Sequence, residues 1–417
     1  MFPSPTLGQG LTSVLQTFFA PPTPYAAANV SEYNIKPFKV DLGTEFQRLH
    51  TLVALAQLPS QDLYPEVGFS KGIELTTLSQ LRQEWLTDFN WEAEQAEMNK
   101  FAQYTAEIEG LKIHFISEQS ADPDAIPLIM LHGWSGSFHE FLPVIPSLTD
   151  SSKPVSYHVV VPSLPGHIFS SPPKDKSWTC ADTARVFNTL MTEVLGYSTY
   201  AVHGTDWGAI IGYSLYANFP ATVTATHLVM LPFMPPTPPQ RAEENVEIDD
   251  DQKVTEGLFF QWATTGNGYF IEQATKPKNL GLALHDSPIG QLAWIGAIWL
   301  DMSDPQSGTS PSLLTHNTIL TTVSLYYLTG SFYSSIWIYE QNPEPLAMVY
   351  SKAKTEAPLF VGQFKYNPFF WPKEYAAKVG NLAGYKVHKR GGHYPGWDNP
   401  VGLVEDLREM AAYLKKA

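Results

Sequence analysis

The chain has one cysteine, Cys180, in 417 residues. A single thiol excludes an intramolecular disulfide and a cysteine metal cluster, so a reducing, cytoplasmic compartment is the default. Cys180 itself reads as a small buried hydrophobe. Basic residues are also scarce: 26 Lys and Arg stand against 41 Asp and Glu, a formal net charge of −15. That balance argues against nucleic acid and anionic membranes as partners and favours a neutral small molecule. No stretch reaches the roughly 18 apolar residues of a membrane span. The apolar patch at residues 14–20 lacks a basic leader, which argues against a secretory signal, and the sequon Asn29-Val30-Ser31 carries little weight without one. Residues 1–32 read as an arm or edge cover. Peripheral membrane contact and a homodimer are both left open. Metal-ligand motifs, a P-loop and a dinucleotide fingerprint are missing too, so nothing calls for a cofactor.

Glycine and proline, by contrast, are plentiful at 28 and 34 residues, and 44% of the chain is hydrophobic, which fits a large globular enzyme with many turns. Helical periodicity covers 45–58 and 78–90, with Trp85, Phe89 and Trp91 near the second helix. From residue 111 the pattern becomes short apolar runs, at 111–116, 126–131, 157–161, 199–203 and 226–231, resuming at 357–362 and 384–388. Runs apolar throughout and alternating with helical stretches predict a mostly parallel sheet covered on both faces. The predicted organisation is an arm (1–32), a helical meander (33–110), a first α/β core segment (111–231), a helical lid (232–345) and a second core segment (346–417) that ends in a helix.

The most informative motif is His203-Gly204-Thr205-Asp206-Trp207-Gly208-Ala209, set between a β-prone run and a helix start. Strand, tight glycine turn and helix make a nucleophile elbow, which needs small residues at 204 and 208 because strand and helix meet closely there. The exposed tip is Asp206, not a serine. A carboxylate attacks carbon electrophiles with no prior proton removal, so it suits an epoxide or alkyl halide and gives an ester that water can cleave. An ordinary esterase is disfavoured.

This order of sheet, elbow, helical insertion and last strands resembles an α/β-hydrolase core with a lid, and more narrowly an epoxide hydrolase of the microsomal type, from about residue 33 onward. The segments that carry the resemblance are the meander with Trp85 to Trp91, Ile108-Glu109-Gly110-Leu111-Lys112-Ile113-His114-Phe115, the loop His132-Gly133-Trp134-Ser135-Gly136-Ser137, and the lid stretch from Tyr269 to Pro277. The resemblance implies conversion of an epoxide to a vicinal diol. Asp206 would be the nucleophile, the backbone amides of Trp134 and Trp207 the oxyanion hole, and Tyr269 and Tyr339 the donors to the epoxide oxygen. His393, in Arg390-Gly391-Gly392-His393-Tyr394, would activate the water.

Two positions depart from the family pattern. The third triad member, normally Asp or Glu, falls on Asn367, which can orient an imidazole but cannot balance its charge. The other acid position, after the run 226–231, holds Pro232-Phe233-Met234-Pro235 and no carboxylate. Three outcomes follow: Asn367 serves as a weak orienting group, Glu374 or Glu340 reaches His393, or the second half-reaction is impaired or rerouted. Ser135 stands where the family often has proline after a cis peptide. The lid aromatics Phe259, Phe260, Trp262, Trp294 and Trp299 predict a large apolar pocket and hence a lipophilic epoxide, from detoxification or secondary metabolism. Haloalkane dehalogenase is the nearest alternative, disfavoured by the paired lid tyrosines. A ligand-binding scaffold or an epoxide-opening cyclase on the same fold stays open because of Asn367.

Overall fold

In a computed structural model, which describes residues 32–415, nine strands among the described residues form one sheet in the order β1-β2-β3-β5-β4-β6-β7-β8-β9. They are β1 (Lys36–Phe38), β2 (Gln103–Ile108), β3 (Leu111–Glu118), β4 (Ile126–Leu131), β5 (Tyr157–Pro162), β6 (Tyr200–Gly204), β7 (Val223–Leu228), β8 (Pro358–Phe364) and β9 (Asn381–His388). From β5 to β9 across the sheet every pairing is parallel, while β1, β2 and β3 add antiparallel pairs at one side. The central strand β6 is buried at all five positions, as expected for a strand covered on both faces. The expected α/β class and mostly parallel sheet are what the chain adopts.

The region before residue 111 differs from the helical expectation. Its helices Gly43–Leu55, Leu75–Thr87 and Trp91–Met98 are present, but β1 and β2 extend the sheet beside them. β2 joins β3 through a tight two-residue hairpin at Glu109 (φ 51°) and Gly110 (φ 77°). β2 is hard to see in the sequence because its buried positions include Gln103, whose side chain bonds His114 at 3.0 Å and replaces an apolar contact. The expected arm at 1–32, with the 14–20 patch and the sequon, lies outside the described residues apart from Glu32.

Between β7 and β8 the chain leaves the sheet as a run of helices from Pro238–Glu243 to Trp337–Gln341, roofing the sheet's carboxyl edge. The meander straps this roof down. Trp85 Nε1 donates to Ser324 Oγ at 3.2 Å, His316 Nδ1 lies 2.8 Å from Glu84, and Arg48 pairs with Asp286. No helix among the described residues is long and apolar enough to cross a membrane.

Candidate active site

β6 runs directly into the helix Asp206–Asn218, and Asp206 sits at the turn with φ 48°. A non-glycine residue there costs about 1 to 3 kcal/mol and is held only by tight surroundings. Those surroundings are explicit. A Cβ on Gly208 would lie 2.1 Å from the Leu131 carbonyl oxygen, and one on Gly204 2.3 Å from the Gly208 carbonyl oxygen. A Cβ on Gly133 would meet Asp206 Oδ1 at 2.1 Å, so the loop after β4 can approach Asp206 only as glycine.

That loop supplies the first donor. The Trp134 backbone N–H donates to Asp206 Oδ1 at 2.8 Å. The Trp207 amide, in the first turn of the elbow helix, is one of the N–H groups that a helix leaves without an internal partner. His132 braces the loop: its Nε2 accepts from Leu164 N at 3.1 Å, which leaves Nδ1–H to donate to the Gly133 carbonyl at 2.9 Å. The Trp134–Ser135 peptide is cis.

The loops after β8 and β9 bring the other partners. His393 Nε2 lies 3.2 Å from Asp206 Oδ2, and its Nδ1 lies 2.9 Å from Asn367 Oδ1. The amide is locked, because Asn367 Nδ2 donates to the Val229 carbonyl at 3.1 Å. Its oxygen must therefore face His393, and the ring must carry a hydrogen on Nδ1. Of the three outcomes for the third member, geometry brings Asn367 to the ring and neither Glu374 nor Glu340. Glu374 is exposed on the short helix Lys373–Ala376, and both ring nitrogens are already engaged.

Across from the carboxylate stand the two lid tyrosines. The Tyr269 ring stacks on Trp134 at 6.0 Å and 15°, and Tyr339 meets Trp207 edge-on at 4.9 Å. Trp262 Nε1 donates to the Tyr269 hydroxyl at 3.4 Å. Burial, and then the Asp206 charge, raise Tyr269; burial, Tyr269 and Asp206 raise Tyr339. Both phenols therefore keep their protons well above neutral pH.

Of the five lid aromatics expected to wall a pocket, Trp262 and Trp294 line cavities. Phe259 and Trp299 are core residues; Trp299 stacks on Tyr394 at 3.8 Å. Phe260 packs against Phe259. The space beside Asp206 is about 20 Å³, far from the large pocket expected, whereas about 470 Å³ opens in a second space that Tyr269 also lines.

Two features at the site were missed in the sequence. Phe369, two residues after Asn367, walls the space at Asp206. Glu140 is 2% exposed, its Oε2 lies 3.5 Å from the Thr205 hydroxyl, and its Oε1 has no hydrogen-bond partner among the described residues. Burial and then the Asp206 charge push this carboxyl well above the usual carboxylate range. The available signal was an acid inside the apolar run Phe138-His139-Glu140-Phe141, directly after the loop that binds Asp206.

The chain resembles known proteins over nearly its whole length. Residues 35–141 match the family described as epoxide hydrolase N terminus, and 126–265 match the alpha/beta hydrolase fold. The solved epoxide hydrolase of Aspergillus niger is 32% identical, with a TM-score of 0.79 over 94% of this chain and 97% of that one. The chain belongs to the epoxide hydrolase family. Two further relatives agree: epoxide hydrolase 1 of Sus scrofa, 29% identical over 93% of this chain and 91% of the relative, and the juvenile hormone epoxide hydrolase of the silkworm Bombyx mori, 25% identical with a TM-score of 0.81 over 92% and 95%. As an epoxide hydrolase the chain opens oxirane rings with water, and the departure at Asn367 becomes a question about its second half-reaction.

Proposed function

We propose that Asp206 attacks an epoxide carbon while Tyr269 and Tyr339 hold and protonate the oxygen, and that His393 then draws a proton from water to cleave the resulting ester at its carbonyl. The observation that carries this reading is one carboxylate with an amide donor at 2.8 Å on one oxygen and an imidazole nitrogen at 3.2 Å from the other. With its hydrogen on Nδ1, the neutral ring presents the Nε2 lone pair toward the ester; it takes a proton from the attacking water and passes it to the alkoxide that departs from the ester carbonyl. The Trp134 and Trp207 amides then stabilise the tetrahedral oxyanion, each worth a few kcal/mol in a dry site. A lipophilic substrate fits the apolar walls, and a buried free Cys180 fits a cytoplasmic setting. In heavy-oxygen water with enzyme in excess and a terminal aryl epoxide, first-turnover diol should carry its new oxygen from Asp206, unlabelled. Solvent label in that first diol would mean direct attack by water and end the proposal.

Asn367 orients the ring without balancing its charge, so ester cleavage is the slower half-reaction. Asn367→Asp is expected to shorten the ester's lifetime by about tenfold, because a carboxylate stabilises the imidazolium formed in that step. It should also lower Tm by a few degrees, since a carboxylate oxygen would replace the donor now bonded to the Val229 carbonyl, at a cost of about 1 to 3 kcal/mol. Rapid-quench mass spectrometry and thermal melts check both. An unchanged ester lifetime with lowered Tm would show that charge at this position does not limit cleavage.

A further inference from the structure

Two unequal spaces meet at Tyr269. The inner one, about 20 Å³, is lined by Trp207, Ile210, Met230, Leu346 and Phe369 beside Asp206. A space of that size holds about one water or a methyl-sized group. Its walls are tightly braced. Ile210 belongs to the elbow helix, and Phe369 meets Trp262 edge-on at 4.8 Å. The outer space, about 470 Å³, lies within the range of ligand pockets; Phe69, Ile73, Trp294, Ala297 and Ile298 line it together with the charged Lys71 and Asp301. Tyr269 lines both spaces. Met302, on the floor of the outer space, accepts the His393 backbone N–H at 2.8 Å. Met302 thus stands between the outer space and the backbone of His393, and Tyr269 is the site residue that the outer space itself meets.

A substrate whose oxirane carbon reaches Asp206 and whose oxygen reaches Tyr269 has little room for carbon on the inner side. Its bulk must extend past the Tyr269 edge. We infer that the enzyme selects unsymmetrical epoxides, with one end no larger than hydrogen or methyl lodged beside Met230 and Phe369 and one long apolar arm lying in the outer space. This rests on the epoxide-hydrolase reading of Asp206 and adds the shape of the substrate. Epoxides in the middle of a chain, with an alkyl arm on each carbon, are excluded because the second arm has no space. One methylene in an apolar pocket can change discrimination by about tenfold, and a whole second arm exceeds that.

The test compares a terminal and a mid-chain epoxide of one twelve-carbon alkane, with a four-carbon terminal epoxide as the short reference. The wild-type kcat/KM is expected to favour the terminal isomer by at least about tenfold. Ala297→Trp, which fills the outer space, should cut the preference for the long terminal epoxide over the short one by about tenfold. Leu346→Ala, which enlarges the inner space, should raise turnover of the mid-chain isomer relative to the terminal one. Equal wild-type rates on both isomers would overturn the inference and leave the epoxide-hydrolase reading intact, without reliance on any variant folding. An Ala297→Trp variant that slows long and short epoxides alike would also overturn it. If none of the three epoxides gave diol or an ester on Asp206, the underlying reading would fall and the inference with it.

Discussion

His393→Gln is expected to halt the enzyme after ring opening, with one equivalent of epoxide bound as an ester on Asp206. In the proposed mechanism the first half-reaction needs only the carboxylate and the phenols, and neither depends on His393 for a proton. The second half-reaction needs a base beside the ester carbonyl, and His393 Nε2 is the nitrogen next to Asp206. General-base catalysis contributes roughly 10²–10⁴-fold, so steady-state diol formation should fall by about that factor while the adduct forms at nearly its normal rate. Intact-protein mass should rise by the mass of the epoxide, and digestion should locate the increment on the peptide holding Asp206. Asp206→Ala should show neither adduct nor diol. Diol at the wild-type rate from His393→Gln would remove His393 from the mechanism. Absence of an adduct would mean that the imidazole is needed to hold Asp206 ready for attack.

The parts of this site that were legible in the sequence are those that one local pattern determines. Gly204 and Gly208 flank Asp206 at a spacing only a strand-to-helix turn requires, and both glycines prove to be places where a Cβ would collide with backbone. His393 and Asn367 are 26 residues apart, yet their meeting follows from adjacent strands, since β8 and β9 pair in parallel and each delivers its loop to the same edge. The locked amide of Asn367 was not legible, because its second partner, the Val229 carbonyl, comes from the end of a strand far away in sequence. Glu140 escaped for a related reason: it is covered by segments distant in sequence, among them Thr205 of the elbow and Gly396. Among the lid aromatics, Trp262 and Trp299 have the same composition signal but opposite fates. One edges the space at Asp206, and the other is sealed against Tyr394. Periodicity identifies an aromatic helix; tertiary packing decides which of its faces a substrate meets.

Replacing both lid phenols, Tyr269→Phe with Tyr339→Phe, is expected to slow ester formation by about 10³-fold or more, with each single change costing less because the remaining hydroxyl still reaches the oxygen. Loss of one well-placed donor costs roughly 10²–10³ in rate. The two are not additive where they share one acceptor. Packing should survive, because phenylalanine keeps the ring that stacks on Trp134 and the edge that meets Trp207. Burial and the Asp206 charge keep both phenols protonated above neutral pH, so the wild-type ring-opening rate should show no loss from these groups as pH rises through 9 or so. A substrate contrast separates acid catalysis from packing. An epoxide leaves as an alkoxide and needs a proton; a bromide leaves as a stable anion and needs none. The double variant should therefore lose epoxide alkylation of Asp206 while any slow alkylation by a primary alkyl bromide of similar shape is little affected. Equal loss with both reagents would mean that the hydroxyls shape the pocket without donating a proton, and the oxygen-protonation step would have to be assigned to another group.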